Sequence, residues 1–432
     1  VNIVLLFALL SASLPARAEL PEWISGKAIL DHHARTDPEA GQSRTLQTGL
    51  TLYSRADPRF SENSDAQFEL RGSAFAHSVE KGKAWTLRGD AKNANLAFHS
   101  GGWHFRVGQI LTAWGRSDGV NPTDYLTARD YTFLSSHDEV RRLGTPGARV
   151  AFVPESGNSP FEFTAAWNAR HPQSKMLIPT TAVPSGLRVQ TEPTTPSLFG
   201  GNQEIALKAA YLSPSWDASL SAFDGRSHFG QFVWDGTQVS LAYLPVRALG
   251  GDFSVTFNDF VLRGESAYYF YDVGRSGLGG LSLTEPNHWD TVIGVERPFG
   301  PRFRLLVQAL YRLHPYLKDP NGFASANPIE TVLVREIARA NALIQNYQKK
   351  SRLGATFLLA YDTEDGDWHF ELGGTGNFVG GGDYVVRPKI SRKVAESLRV
   401  LAGLDHYGGR KDLPLGALQS YRSFYLEGMY SF

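Results

Sequence analysis

The stretch WGRSDGVNPTDYLTARDYTFLSSHDEVRRLG (114–144) crowds Arg116, Asp118, Asp124, Arg129, Asp130, Arg141 and Arg142 into one segment, with Asp138 and Glu139 beside them. Opposite charges at this density have two chemical uses. In a narrow, poorly hydrated space they pair and hold a chain segment fixed. Across a pore they set a transverse field that selects solutes. A solvated surface loop carrying the same charges is an equal reading. Asp118, Asn121 and Asp124 also offer oxygens to a cation, but their spacing is not that of an EF-hand, and no metal is expected. The 12 histidines are scattered along the chain. There is no Gly-x-Ser-x-Gly, His-Glu-x-x-His or phosphate-binding loop, so neither catalysis nor a cofactor is expected.

The elements that would position these charges read as strands. In RFRLLVQALYR (302–312), Phe303, Leu305, Val307, Ala309 and Tyr311 alternate with Arg304, Gln308 and Arg312. AQFELRGSAFAH (66–77), HWDTVIGVE (288–296) and GDWHFELGGTGN (366–377) repeat the period of two. One face is apolar, with aromatics toward the strand ends. The other is polar and carries Arg106, Arg304, Arg312, Arg352, Arg387 and Arg399. A soluble sandwich would turn the apolar face inward. A transmembrane barrel turns it toward lipid and hydrates the charges in its lumen, and the arginines and glutamates at strand centres favour that arrangement. The expected fold is therefore all-β, a transmembrane antiparallel β-barrel of about 18 strands. That count requires 236–257 to be one long strand, bent by a bulge at Pro245 and Gly250-Gly251. Short turns at 258–259, 298–302 and 363–367 fall on the periplasmic side, and the long segments 114–144, 171–202, 272–287 and 314–350 lie outside. The last of these contains one helix, over 328–346. Asn327 is its cap, Pro328 its first residue, and Ile329, Val332, Leu333, Ile337, Ala340 and Ile344 its apolar stripe. Packing on a neighbouring loop is the plainer role for this helix, a lid the functional one.

Composition agrees with export to a membrane. The 432 residues include no cysteine, 43 glycines, 26 phenylalanines and 17 tyrosines, and 43 basic residues balance 43 acidic ones. Zero net charge gives no reason to expect a nucleic-acid partner. Residues 1–18 read as a signal peptide, with an apolar run from Ile3 to Leu10 and cleavage after Ala16-Arg17-Ala18. Residues 19–432 are expected to form a single barrel domain. The final strand places Phe424, Leu426, Tyr430 and Phe432 on one face. This resembles the C-terminal signature by which the barrel-assembly machinery recognises Gram-negative outer-membrane barrels, and it implies that machinery and outer-membrane lipid as partners.

A second resemblance rests on FRVGQ (105–109), Trp114-Gly115, the Asn121-Pro122-Thr123-Asp124 turn and RRLGTPGARV (141–150). Together these are similar to a group of large outer-membrane barrels akin to the alginate-export channels, matched at Arg106, Gly108, Gln109, Trp114, Gly115, Asn121, Pro122, Asp124, Arg142 and Gly144. The resemblance implies a passive or polymer-conducting channel with a loop folded into the barrel. Gln109 stands where the family carries an arginine, which bears on specificity. The expected function is an outer-membrane channel for facilitated diffusion of a hydrophilic, anionic solute. Alternatives are a pore exporting an extracellular polysaccharide, acidic or neutral, or a structural barrel anchoring a partner protein. A periplasmic or oligomeric partner is left open. Arg106, Arg116, Asp118, Asp124, Arg129, Asp130, Arg141, Arg142, Arg304, Arg312, Arg352, Arg387 and Arg399 are the expected pore-lining residues. The anionic preference follows from an excess of arginine and lysine on the lumen face, with Arg304, Arg312, Arg352, Arg387 and Arg399 forming a basic wall.

Overall fold

A computed structural model describes residues 21–38, 42–77, 85–154, 159–176, 189–190, 197–234, 239–271, 286–322, 327–378 and 380–432. The expected signal peptide, most of 171–202 and nearly all of 272–287 lie outside the described residues. Eighteen antiparallel strands follow one another around a closed sheet. The first nine are β1 (Ile24–Arg35), β2 (Thr45–Ala56), β3 (Ser64–His77), β4 (Thr86–Ser100), β5 (Trp103–Ile110), β6 (Thr145–Phe152), β7 (Phe161–Asn168), β8 (Glu204–Leu212) and β9 (Trp216–Arg226). The second nine are β10 (Pro245–Phe257), β11 (Phe260–Tyr271), β12 (His288–Phe299), β13 (Phe303–Leu313), β14 (Ser351–Asp362), β15 (Trp368–Asn377), β16 (Asp383–Ala395), β17 (Leu398–Gly409) and β18 (Ser423–Ser431). Each strand pairs with its sequence neighbour, and β18 closes on β1 with Lys27 opposite Ser431 and Arg35 opposite Ser423. Closure satisfies every strand edge internally, the condition for crossing a bilayer with β-structure.

Side-chain alternation sets the two faces. Val307 and Tyr311 of β13, Phe357 of β14 and Phe370 of β15 are exposed on the outside, as are Leu220 of β9 and Leu249 of β10. An apolar exterior on a closed sheet faces lipid, and the fold is that of outer-membrane barrels. The short turns lie at one end. Gly101 and Gly102 have φ of 56° and 77°, the pair of positive values a two-residue type I′ hairpin turn needs. Asn258 supplies φ of 51° in the β10–β11 turn.

Gly26 permits the seam to close. Its N–H donates to the Phe432 carbonyl at 2.8 Å, and the Phe432 N–H donates back at 3.0 Å. A Cβ at Gly26 would overlap the Phe432 ring and lie 2.7 Å from the Tyr53 carbonyl oxygen, which the sheet holds in place. Gly26→Val is therefore expected to lower the yield of closed, heat-modifiable barrel on gel electrophoresis. Wild-type yield from that variant would mean the seam tolerates a displaced Phe432.

Two expectations are corrected. Residues 236–257 are not one bent strand. Val239–Ala242 pairs with Gln231–Trp234 and Val189–Gln190 in a separate three-stranded sheet, and the barrel strand starts at Pro245, where a missing N–H costs least. Gly250-Gly251 is no bulge either, since β10 keeps continuous register with both neighbours. The glycine serves packing: a Cβ at Gly250 would overlap the Tyr125 hydroxyl. The helix α1 (Pro328–Gln345) forms as its caps predict, with the Asn327 side chain accepting from the Ile329 N–H and Asn346 left-handed at φ of 64°. It packs on the small sheet through Val334, Ile337 and Ala338 against Phe232 and Val239. Asn341 mimics a strand edge there, donating to the Phe232 carbonyl at 2.8 Å and accepting its N–H at 2.7 Å. Ile329 and Val332, expected in the apolar stripe, are exposed.

Candidate functional site

Residues 111–144 leave β5, cross the lumen and return to β6. Both ends of the crossing are held by apolar side chains on an otherwise polar inner wall. Trp114, Tyr125 and Leu126 insert among Ala166, Ala206, Phe223, Ala248 and Ala267 on the β7–β11 side. Phe133 and Val140 insert against Ile29, Tyr53 and Phe75 on β1–β3. On the β7–β11 side four alanines make the socket, on β1–β3 larger apolar side chains do, and in both the loop supplies the knobs.

Carboxylates on the wall then bind the loop backbone. Glu265 of β11 accepts from the N–H groups of Arg116, Ser117 and Thr123 and from the Thr123 hydroxyl at 2.9 Å. Glu427 of β18 accepts from the Ser136 N–H at 3.0 Å and the Ser136 hydroxyl at 2.5 Å. Cations do the same to loop carbonyls. Arg71 donates to the Val140 oxygen at 2.5 Å, and Lys92 donates to that of Glu139. Gln47 donates to the Leu134 carbonyl at 2.8 Å and accepts its N–H at 3.1 Å.

The loop charges are largely paired. Arg116 meets Asp252 at 2.6 Å and Asp217 at 2.9 Å. Asp118 lies 3.3 Å from Arg263, and Asp124 3.3 Å from Arg129. Asp130 takes Arg88 at 2.6 Å and Lys175 at 3.4 Å. Arg142 reaches Asp138 at 3.2 Å, and Arg141 donates to the Ser135 carbonyl at 2.6 Å. Burial pushes the Asp124 carboxyl above the ordinary carboxylate range despite Arg129. Asp130 is buried too, yet Lys175 and Arg88 outweigh burial and hold it below that range.

Of the arginines expected to form a wall, Arg312 and Arg352 adjoin as cross-strand partners, but Arg304 lies far from both. Arg304 and Arg312 are eight residues apart on β13, roughly 27 Å along the strand. Arg304 pairs with Glu296 at 3.4 Å near the short turns, whereas Arg312 pairs with Asp290 at 2.5 Å beneath the long loops. Arg352 donates to the Asn346 carbonyl at 3.1 Å, at the end of α1. Arg387 meets Asp405 at 3.1 Å, Arg399 donates to the Ser391 hydroxyl at 3.4 Å, and Arg106 donates to Gln67 at 3.1 Å. Inward-facing Asp217 and Asp252 further offset the basic excess. Between the loop and β13–β18 remains a cavity of about 670 Å³, bordered by Asp118, Arg129, Arg141, Glu371, Arg387 and Asp405.

Sequence reasoning missed one cluster. His171 and His228, from two different loops, both meet Glu204 at the start of β8. His171 Nδ1 lies 2.9 Å and His228 Nε2 3.2 Å from Glu204 Oε1. All three are buried. Burial holds His171 below the ordinary histidine range. Burial acts likewise on His228, but the Glu204 carboxylate outweighs it and raises that histidine. Separations of 33 and 24 residues carry no local signal for this juxtaposition.

No protein-family model matches the chain, and no curated protein does. Solved structures do share the fold. OccAB1 of Acinetobacter baumannii superposes with a TM-score of 0.56 at 9% identity, covering 95% of each chain. The outer membrane protein OpdK of Pseudomonas aeruginosa gives 0.55 at 10% identity, covering 96% of this chain and all of its own. OccD3 (OpdP) of Pseudomonas aeruginosa gives 0.51 at 11%, covering 95% and 90%. None of these three is an alginate-export channel, the group that the 105–150 segment resembles. At such identities the likeness speaks for the barrel fold.

Proposed function

We propose that the chain is a channel for facilitated diffusion of a small hydrophilic solute bearing an anionic group, with residues 111–144 as its constriction. The observation that carries this reading is the cavity left between the docked loop and β13–β18. At about 670 Å³ it has the size of a small-molecule site. That favours a small solute over an extended polysaccharide, whose export needs a continuous wide bore. Arg129, Arg141 and Arg387 border the cavity, and guanidinium forks match carboxylate and phosphate oxygens. Asp118, Glu371 and Asp405 on the same border keep the preference weak. Resemblance of β18 to an assembly signature supports insertion by the barrel-assembly machinery, with Phe424, Leu426, Tyr430 and Phe432 as the recognised face.

Reversal potentials across a planar bilayer in a KCl gradient test the anionic reading. Weak anion preference is expected, stronger at low salt where screening is least. Arg129→Ala with Arg387→Ala should bring it close to zero or reverse it, because Asp118, Glu371 and Asp405 then dominate. Cation preference in the wild-type chain would remove the anionic solute and leave the channel standing.

A further inference from the structure

The His171–Glu204–His228 cluster joins three segments that leave neighbouring strands of the barrel's long-loop end. His171 follows β7, Glu204 opens β8 and His228 follows β9. The same place secures the inward loop. The Ser174 N–H donates to the His228 carbonyl at 2.9 Å, the Arg129 N–H donates to the Ser174 hydroxyl at 3.0 Å, and the Lys175 N–H donates to the Arg129 carbonyl at 2.9 Å. Whatever fixes the three side chains therefore fixes the loop that crosses the lumen.

His228 Nε2 lies 3.2 Å from Glu204 Oε1 and 3.4 Å from Oε2. An imidazole lone pair and a carboxylate oxygen at that range repel unless a proton or a cation sits between them. His171 presents Nδ1 to Oε1, and its Nε2 is buried without a hydrogen-bond partner, so the ring is held through Nδ1 alone. The three ligand atoms lie within 4.8 Å of one another. A tetrahedral centre about 2.0–2.2 Å from each ligand needs them roughly 3.2–3.6 Å apart. The Glu204–His228 pair is already at that spacing, the Glu204–His171 pair is slightly inside it, and the third side closes by a rotation of either ring. Asn168 donates to Glu204 Oε2 at 2.7 Å and orients the carboxylate. The rings of Tyr243 and Phe223 pack against the histidines and keep the site dry.

We propose that His171, Glu204 and His228 form a buried site for a zinc-class divalent cation, which latches the three loops over the barrel mouth. The ligands are two imidazole nitrogens and one carboxylate oxygen. This set suits Zn²⁺ and excludes Mg²⁺ and Ca²⁺, which take oxygen cages.

The test uses the folded full chain, without an affinity tag, in detergent. A His104→Ala background removes the exposed His99–His104 pair as a competing zinc ligand. After chelation and dialysis against Zn²⁺ near neutral pH, metal analysis should find about one zinc per chain. His171→Gln, Glu204→Gln and His228→Ala, each checked for heat-modifiable folding, should lose it. In the unsubstituted cluster, X-ray absorption of the bound zinc should show two imidazole ligands, a readout that stands even where a variant fails to fold. No zinc on the folded barrel, equal zinc in the three variants, or a spectrum without imidazole scattering would overturn the site.

Discussion

Deleting Asp118–Glu139 should raise single-channel conductance several-fold while the barrel still assembles. Among the described residues, this segment is the chain's crossing of the lumen. A barrel of this strand number leaves an aqueous channel when nothing fills it. The sheet itself does not depend on the loop, because each strand's backbone is satisfied by its neighbours and β18 closes on β1. Wall groups that lose loop partners, chiefly Glu265, Glu427 and Gln47, would be hydrated by the water that enters. Selectivity supplies a second readout. The deletion removes Asp118, Asp124, Asp130, Asp138 and Glu139 against Arg129 alone, so the lumen becomes more basic and anion preference should grow. Planar-bilayer recordings of conductance and reversal potential read both effects. Unchanged conductance from a heat-modifiable variant would mean that the loop is not the constriction.

Much of this architecture was legible because lipid and water impose opposite demands on alternate residues. Phe303 to Tyr311 on one face and Arg304 to Arg312 on the other can satisfy both only as a strand of a hydrated barrel. The error at 236–257 has the same root. QVSLAYLPV reads as one apolar run, and only pairing in space assigns Val239–Ala242 to a separate sheet. Asn327 and Pro328 announce the helix through a local cap and a preset φ, whereas the exposure of Ile329 and Val332 depends on which helix residues meet the small sheet, and those are Val334, Ile337, Ala338 and Ala340. In the site, the density of charge in 114–144 was visible, and so was its capacity to pair. The anchor was not. Glu265 binds backbone N–H groups, which every residue but proline carries, so no side-chain pattern points to its partners. Depth and pairing were the hidden parts of the basic wall: Arg312 and Arg352 stand side by side, but Arg304 shares their face without sharing their depth, and Asp290 and Glu296 sit against Arg312 and Arg304.

Glu265→Ala should release one part of the inward loop and leave the rest docked. Magnitudes decide between release and expulsion. Removing the carboxylate strands the N–H groups of Arg116, Ser117 and Thr123, each costing about 1–3 kcal/mol if it stays dry. Against this, Trp114, Tyr125, Leu126 and Phe133 are buried knobs worth about 1.5–3 kcal/mol each. The knobs flank the stranded groups, and those beyond residue 124 keep their sockets. The cheaper outcome is local: 115–123 lifts toward water and regains hydrogen bonds there, while 125–140 remains on the wall. Arg116 then trades Asp252 and Asp217 for solvent and becomes accessible to trypsin, whereas Arg129 and Arg141 stay protected. Channel recordings should show added noise and brief high-conductance excursions rather than the steady increase expected of the deletion. Glu265→Gln should fall between, because its amide oxygen still accepts from the Arg116 and Ser117 N–H groups while its amide nitrogen meets the Thr123 donors. Mass spectrometry of the tryptic fragments separates the possibilities. Cleavage at Arg129 or Arg141 as fast as at Arg116 would mean that Glu265 holds the whole loop and that the apolar sockets contribute little. No cleavage at all, with quiet channels, would mean that the sockets suffice and that Glu265 is a satisfied carboxylate rather than an anchor.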